Sequence, residues 1–159
     1  METDLFIDGL LDCLAESGHW YDTVLVFYAD HYNTYMMDKD LVMDIKGVDC
    51  ENLLRHTDFF IWSADTPPMT VEKATSSADI LPTLANLFGL DTSGAFLVGH
   101  DGLGPNGGYA FFSDGSWCDG RTYWDSATPV TDQNRTAEIT RAMKLSALVL
   151  SGNYYGNEE

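Results

Sequence analysis

Apolar residues recur along the chain with two different periods, which predict helices and strands in alternation. Residues 3–17 are expected to form an amphipathic helix that ends at Gly18, because their apolar positions follow i, i+3, i+4, i+7 spacing. Those apolar residues are Ile7, Leu10, Leu11 and Leu14. The unbroken run T-V-L-V-F-Y-A at 23–29 is rich in β-branched and aromatic residues, which predicts a strand buried on both faces.

A second strand and further helical segments are expected in the middle of the chain. The run D-F-F-I-W-S at 58–63 has the same character as the first strand, and one or two short helices are expected within 35–55. A Pro-Pro pair marks a loop at 67–68. Another helix is expected to begin near Ser76 and to end at Gly89. Its apolar stripe consists of Ile80, Leu81, Leu84, Leu87 and Phe88.

The last third of the chain is expected to contain a loop, a hairpin and a helix. Seven of the ten residues at 99–108 are Gly, Pro or Asn, which predicts a loop. The runs at 109–112 and 121–124 flank S-D-G-S-W-C-D-G, which is a hairpin signal with some extra residues. A helix is expected over 135–150, and the residues at 153–159 form a polar tail.

This alternation predicts an α/β fold with mostly parallel core strands flanked by helices, plus a late β-hairpin. Continuous apolar strands usually belong to parallel sheets that helices cover on both sides. A length of 159 residues suits one domain, and no linker in the sequence divides it. The domain is therefore expected to span residues 1–152.

The charge balance excludes whole classes of partner. Eight Lys and Arg residues stand against 25 Asp and Glu, which gives a formal net charge of −17. A nucleic-acid backbone or an anionic lipid surface attracts basic proteins, so neither is an expected partner. The longest unbroken apolar run, Val24 to Ala29, is far shorter than the ~20 residues of a membrane helix, and Asp4 and Asp8 interrupt any signal peptide. The chain itself is expected to be soluble.

The three cysteines give no sign of a metal site or a disulfide framework. Cys13, Cys50 and Cys118 form no C-x-x-C pair, and their odd number prevents complete pairing. We expect three reduced and mostly buried thiols.

The most informative dipeptide for chemistry is Asp30-His31, directly after the first predicted strand. Ligands of open α/β sheets bind beyond the carboxyl ends of strands, and a carboxylate with an imidazole can hold a divalent metal. Both groups ligate when deprotonated, which holds for Asp and mostly for His at neutral pH. A turn that caps a helix is the alternative interpretation of the same dipeptide.

The other residues that could carry chemistry favour structural roles. His19, His56 and His100 are expected at the surface or in hydrogen bonds, although His100 and Asp101 form a second possible polar pair. The candidate nucleophiles by residue type, which stand where a helix cap is expected, are Thr75, Ser76 and Ser77. Three Asp-Gly pairs lack the spacing of a calcium loop, and turn chemistry explains them more simply. Core and hairpin packing explains Trp62, Trp117 and Trp124 better than a sugar platform does.

Five segments together carry a resemblance to a known family. The run D-T-V-L-V-F-Y-A-D-H-Y resembles the strand and metal-binding turn of the alkaline phosphatase/sulfatase superfamily. Tyr32 stands where sulfatases usually have Gly, and Asp-His-Tyr resembles the lipoteichoic acid synthase and phosphoglycerol transferase branch. The other four segments, in the family's order, are F-F-I-W-S at 59–63, S-S-A-D-I-L-P-T-L-A-N-L-F-G-L at 76–90, V-G-H-D-G-L-G at 98–104 and F-F-S-D-G-S-W at 111–117. The resemblance covers roughly residues 5–125.

The resemblance implies a partial alkaline-phosphatase-like fold and assigns two metal ligands, Asp30 and His31. It implies a divalent metal as the cofactor, with Mn²⁺ preferred over Mg²⁺ or Zn²⁺. The family's nucleophile and its other ligands lie upstream of the Asp-His turn, so no catalytic residue is assigned. The chain is expected to be the carboxy-terminal part of the catalytic domain or a truncated relative. Its expected partner is then the missing amino-terminal half or another chain.

Two functions follow from the resemblance. The first is a fragment of a metal-dependent phosphoglycerol transferase or phosphate/sulfate ester hydrolase, which contributes metal ligands and acts on a phosphoglycerol- or ester-bearing substrate. Parent enzymes of the transferase branch are anchored in the membrane, with an extracytoplasmic catalytic domain in the cell envelope. The alternative is a non-catalytic binding or self-associating module, possible as a homo-oligomer, that retains the fold.

Overall fold

A computed structural model describes residues 2–31, 38–48, 51–106, 108–125 and 132–156. Within it the chain divides into two compact units, Met1–Met69 and Thr70–Glu159. The boundary follows directly after the Pro-Pro loop at 67–68, which the sequence marks as a loop but not as a division.

The first unit begins with helix α1, Glu2–Ser17, which confirms the helix predicted from the apolar spacing. Gly18 ends the helix with a φ of +79°, a left-handed conformation that costs a glycine little. Four side chains turn one half-buried face inward, and they are the predicted Ile7, Leu10, Leu11 and Leu14.

Two strands follow, β1 at Val24–Tyr28 and β2 at Phe59–Ser63. They pair antiparallel, in a register that places Val24 opposite Ser63 and Tyr28 opposite Phe59. The rings of the cross-strand pair Phe27 and Phe60 stack with centroids 4.6 Å apart. The α/β class is confirmed, but the expected parallel pairing is not found among the described strands.

The error in strand direction has a physical cause. An apolar run shows that a strand is covered, but it does not encode which way its neighbour runs. The connection from residue 29 to residue 58 is long enough for a crossover to a parallel strand, so its length does not decide either. The expected burial on both faces is also wrong for β1, because Tyr28 is exposed and the central residues are half-buried.

Helix α2, Lys39–Lys46, and a 3-10 turn at Glu51–Arg55 confirm the short helices expected in this part of the chain. The Asp38 carboxylate caps α2 by accepting the main-chain N–H groups of Asp40 and Leu41. The Lys46 ammonium donates to the main-chain oxygens of Leu54, at 3.4 Å, and of His56. This lysine therefore holds the end of α2 to the segment that enters β2.

The second unit starts with a 3-10 turn at Ser77–Asp79 that continues into helix α3, Ile80–Leu87. A capping box between Ser76 and Asp79 begins the turn, which confirms the predicted helix start. Its burial differs from that expected of an apolar stripe, because Leu81, Leu87 and Phe88 are exposed. The buried face instead carries Asp79, Pro82, Thr83 and Ala85.

Main-chain packing explains why the small face of α3 is buried. The Thr83 hydroxyl accepts the main-chain N–H of Gly102 at 2.8 Å and donates to the Asp79 carbonyl at 2.6 Å. A Cβ at Gly99 would lie 2.2 Å from the carbonyl oxygen of Ala78. The glycine-rich loop that begins at Gly99 thus lies directly against this face of α3. Only small side chains on the face leave room for the backbone of the loop.

The expected hairpin is a three-stranded antiparallel sheet. Strands β3, Ala110–Phe111, β4, Trp117–Cys118, and β5, Tyr123–Trp124, follow in order across it. Gly115 and Gly120 each adopt a positive φ in the two turns. The extra residues between the predicted strands therefore form a strand of their own, flanked by two Asp-Gly turns.

Helix α4, Gln133–Ser151, confirms the last predicted helix and covers the core of this unit. The core consists of Tyr109, Trp117, Trp124 and Ile139. The two tryptophan rings stack with centroids 4.1 Å apart, and the Trp117 indole donates to the Thr136 hydroxyl at 3.2 Å. Core packing is thus confirmed for both tryptophans.

Cysteine burial differs from the expectation at one position. Cys13 and Cys118 are free thiols, but Cys13 is exposed on α1, and only Cys118 is half-buried. Cys50 lies outside the described residues.

Candidate metal centre

The Asp30-His31 dipeptide lies just beyond the carboxyl end of β1, where the chain bends. Neighbouring side chains along a strand point to opposite faces, so a bend is needed before two adjacent residues can face one another. His31 Nε2 lies 3.6 Å from Asp30 Oδ2. The carboxylate is 86% exposed and the imidazole 45% exposed, so both can reach a ligand from solvent.

These two donor atoms fit a divalent metal as part of its coordination shell. A tetrahedral ion with ligands at ~2.1 Å separates its donor atoms by about 3.4 Å, close to the observed distance. A carboxylate oxygen and an imidazole nitrogen are also donors that Mn²⁺ and Zn²⁺ accept. No group of three or more His, Cys, Asp or Glu side chains that could hold a metal occurs among the described residues. The described residues therefore offer two candidate ligands at this position and no complete metal site.

A cavity of about 520 Å³ lies against the residues that precede the dipeptide. Tyr28 and Ala29 line it directly, and its volume is within the usual range of small-molecule sites. Its apolar lining comes from Ile7, Phe27, Val48, Leu53 and Phe60. A ligand of moderate size could therefore bind within the first unit, against the two residues that precede the dipeptide.

Three polar side chains with titratable groups also line this cavity, and they are Lys46, His56 and Asp58. The Lys46 ammonium already donates to two main-chain oxygens, so its position is fixed. His56 is exposed, as expected from the sequence, and it also lines the cavity. The only signal for this in the sequence was its position before the second strand.

The other two histidines have partners that agree with structural roles. His19 is exposed in the turn between α1 and β1, where its main-chain carbonyl accepts the Thr23 hydroxyl at 2.9 Å. In the second unit, His100 Nε2 lies 3.5 Å from Glu138 Oε1, and its ring meets Tyr109 edge-on. The possible His100-Asp101 pair is not formed, because the Asp101 carboxylate accepts from other residues.

In the second unit, the hydroxyl of Tyr109 has a raised pKa. Burial, and after it the neighbouring Glu138 carboxylate, together raise the pKa of its hydroxyl to about 12. The hydroxyl donates to Glu138 Oε1 at 3.1 Å, while the Arg135 guanidinium lies 4.4 Å above the ring. The phenol therefore remains protonated at neutral pH and acts here as a hydrogen-bond donor.

The candidate nucleophiles and the Asp-Gly pairs have the roles that turn chemistry gives them. The Ser76 hydroxyl donates to the Asp79 carboxylate at 3.3 Å in the capping box. Asp119 accepts main-chain N–H groups from Arg121 and Thr122, and the bond from Thr122 lowers the pKa of its carboxyl most. In the same way, the Asp114 carboxylate accepts the main-chain N–H of Ser116. These are the expected helix cap and Asx turns.

Sequence reasoning missed the tertiary role of Asp79. Its side chain is 5% exposed, and its Oδ1 accepts the main-chain N–H of His100 at 2.6 Å. The S-S-A-D pattern signals a helix cap, but it carries no information about a partner 21 residues away.

Comparison with known proteins identifies the family. The family model described as Sulfatase matches residues 1–90, more than half of the chain. The curated lipoteichoic acid synthase of Staphylococcus saprophyticus subsp. saprophyticus is 26% identical over 180 aligned residues. That alignment covers 98% of this chain but 27% of the relative, so the chain spans about a quarter of the relative's length.

The matched region contains both the first unit and the start of the second, as far as the end of α3. Within the described residues, no helix is long and apolar enough to cross a membrane. Asp30 and His31 lie inside the matched region, just beyond the end of β1. The chain belongs to the sulfatase family.

Proposed function

We propose that this chain contributes Asp30 and His31 as ligands of a divalent metal in a sulfatase-family catalytic domain. The reaction is transfer of phosphoglycerol, as in the transferase branch, or hydrolysis of a phosphate or sulfate ester. The metal is Mn²⁺ in preference to Mg²⁺ or Zn²⁺. The name of the relative, lipoteichoic acid synthase, supports the transferase branch, and we propose a place in the cell envelope on the same ground.

The observation that carries this proposal is the 3.6 Å approach of His31 Nε2 to Asp30 Oδ2 at the end of β1. Both side chains are accessible, and both belong to the residues that match the family. A catalytic metal usually takes three or more protein ligands. We therefore propose that the remaining ligands and the nucleophile come from a further part of the domain or from a partner chain.

The residues of this chain have defined tasks in such a site. Asp30 supplies negative charge that offsets the cation, and His31 supplies a neutral nitrogen once it is deprotonated. The bend after β1 holds the two donors together, and the adjoining cavity receives the organic part of the substrate. When bound, the metal would make a hydroxyl more acidic and neutralise charge on phosphoryl or sulfuryl oxygens.

Metal-dependent thermal unfolding tests the ligand assignment. Binding to the folded state stabilises it by mass action, so a concentration near ten times the dissociation constant adds about 1.4 kcal/mol. For a chain of this size, that corresponds to a rise of roughly 3–6 °C in Tm. MnCl₂, MgCl₂ and ZnCl₂ are each titrated against the wild-type chain.

The variants decide whether the dipeptide is responsible for any shift. Asp30→Asn and His31→Ala are expected to abolish the rise in Tm, whereas His19→Ala removes an exposed histidine of the same unit and is expected to preserve it. An equal rise in His31→Ala and wild type would refute the assignment, as would no rise with any of the three metals.

A non-catalytic, self-associating module is the second candidate, favoured by exposed apolar residues of the first unit. Leu5, Phe6, Ile45 and Phe60 all expose around half or more of their surface. The sheet of β1 and β2 has two strands in the described residues, so each has an outer edge available for pairing. Sedimentation velocity across a concentration series tests this, and a monomer at every concentration would exclude self-association.

A further inference from the structure

Lys73 holds an unusual position in the second unit. Its ammonium donates to three main-chain carbonyl oxygens: Gly104 at 2.7 Å, Asn106 at 2.6 Å and Asp101 at 3.2 Å. These acceptors lie 28 to 33 residues further along the chain. The chain has 25 Asp and Glu residues and eight Lys and Arg residues. Among the bonds described for Lys73, its ammonium nevertheless donates to main-chain oxygens of the glycine-rich loop.

The stem of the lysine is accommodated by a glycine. A Cβ at Gly108 would lie 3.3 Å from the Cγ of Lys73, and Gly108 has a φ of +84° that side chains rarely adopt. A side chain at this position would therefore strain the backbone and crowd the stem of the lysine. Both the stem and the charged end of Lys73 thus contact the loop.

The two halves of the loop are held by different residues. The first half is anchored to α3, because Asp79 accepts the N–H of His100 and Thr83 accepts the N–H of Gly102. In the second half, the N–H of Gly104 bonds locally to Asp101. The bonds from Lys73 to Gly104 and Asn106 therefore tie this second half to a distant part of the unit.

Three carbonyl oxygens around one positive centre form a cation site. Carbonyl dipoles pointing at a common point repel one another, and a central cation reverses that repulsion. The distances of 2.6–3.2 Å are those of charge-assisted hydrogen bonds. Without the ammonium, the three oxygens would have to separate or bind water or another cation.

We propose that Lys73 is the positioning residue of the loop Asp101–Asn106, acting as a built-in cation around which the loop folds. The loop then has two states, one closed on the ammonium and one open, and a single charge selects between them. Removal of that charge opens the second half of the loop while α3 continues to hold the first half.

Amide hydrogen exchange of the full chain tests the proposal. Lys73→Met preserves the stem and removes the charge. We expect exchange at Gly104, whose N–H bonds to the Asp101 carbonyl, to become about tenfold to hundredfold faster. Exchange at Gly102 should change less, because its N–H bonds to Thr83. Lys144→Met is the matched control, since it removes the same charge from an exposed site on α4.

Chemical rescue separates a role of the charge from a merely structural role of the side chain. In Lys73→Ala, methylammonium is expected to restore slow exchange at Gly104, whereas tetramethylammonium, which has no N–H group, is not. Unchanged exchange in Lys73→Met, or the same acceleration in Lys144→Met, would overturn the proposal. Equal effects of the two ions would overturn it as well.

A variant that does not fold still gives a decisive result. In that case Lys73→Ala is refolded with each ion, and recovery of the near-ultraviolet dichroism of Trp117 and Trp124 is measured. Recovery with methylammonium alone supports the built-in cation. Equal recovery with both ions, or with neither, contradicts it.

Discussion

Replacement of Asp79 by asparagine is expected to destabilise the second unit strongly, although the two side chains have nearly the same shape. Asp79 is 5% exposed, and both oxygens of its carboxylate accept hydrogen bonds. Oδ2 accepts the main-chain N–H of Ser76 at 2.7 Å and its hydroxyl at 3.3 Å. Oδ1 accepts the main-chain N–H of His100 at 2.6 Å.

The magnitude follows from these contacts. A hydrogen bond to a charged group is worth ~1.5–3 kcal/mol, and a buried N–H without an acceptor costs ~1–3 kcal/mol. Asparagine retains one acceptor oxygen and places its NH₂ group against a main-chain N–H. At least one strong bond is therefore lost and one donor left unsatisfied, which gives a loss of about 2–4 kcal/mol in the free energy of unfolding. That is a large part of the ~5–15 kcal/mol typical of a folded domain.

Urea unfolding followed by the near-ultraviolet dichroism of Trp117 and Trp124 measures this loss within the second unit. Asp91→Asn is the matched control, because Asp91 also accepts a main-chain N–H, from Ser93 at 2.9 Å, but on the surface. We expect the control to unfold like wild type. A loss in Asp79→Asn no larger than that in Asp91→Asn would show that burial does not strengthen these bonds as argued.

Three further predictions concern the same unit. Thr83→Val should cost about 1–3 kcal/mol because it leaves the Gly102 N–H without an acceptor, and Thr83→Ser should restore most of it in the same urea assay. Gly99→Ala should lower Tm far more than Gly94→Ala, because a Cβ would lie 2.2 Å from a carbonyl oxygen at the first site and meets nothing within 4 Å at the second. The Tyr109 hydroxyl should ionise near pH 12 in a titration followed at about 295 nm, with that step absent in Tyr109→Phe. Because the folded-state pKa is raised above the usual 10, its contribution to stability is complete below pH 10 and is lost as the pH rises towards 12, and equal alkaline stability of wild type and Tyr109→Phe would contradict this.

Periodicity was a reliable guide to the elements themselves. The helix expected at 3–17 is Glu2–Ser17, and the strand expected at 23–29 is Val24–Tyr28. The last helix, expected at 135–150, is Gln133–Ser151. These elements could be predicted because helix spacing, β-branched runs and glycine stops are local properties of the chain.

Burial and strand pairing were less predictable because they depend on distant residues. In the predicted apolar stripe of α3, Leu81 and Leu87 are exposed to solvent. The helix instead buries Thr83 against a loop that begins sixteen residues later, at Gly99. Likewise, the antiparallel partner of β1 lies beyond a connection that would have allowed either direction. Lys73 belongs to no periodic pattern in the sequence. Its three carbonyl acceptors lie 28 to 33 residues further along the chain, so only the fold brings them to the ammonium.

The candidate metal centre also combines a local feature, which the sequence predicts, with distant residues, which it does not. Asp30 and His31 are adjacent, so their separation depends only on where β1 stops and how the chain bends. Had the strand continued through position 31, the two side chains would point to opposite faces and could not share one ion. Because the strand ends at Tyr28, a short sequence is enough to bring the two side chains within 3.6 Å of each other. The other ligands of the proposed site would come from residues remote in sequence. The dipeptide would then supply two of its ligands, and the variants of Asp30 and His31 test that proposal directly.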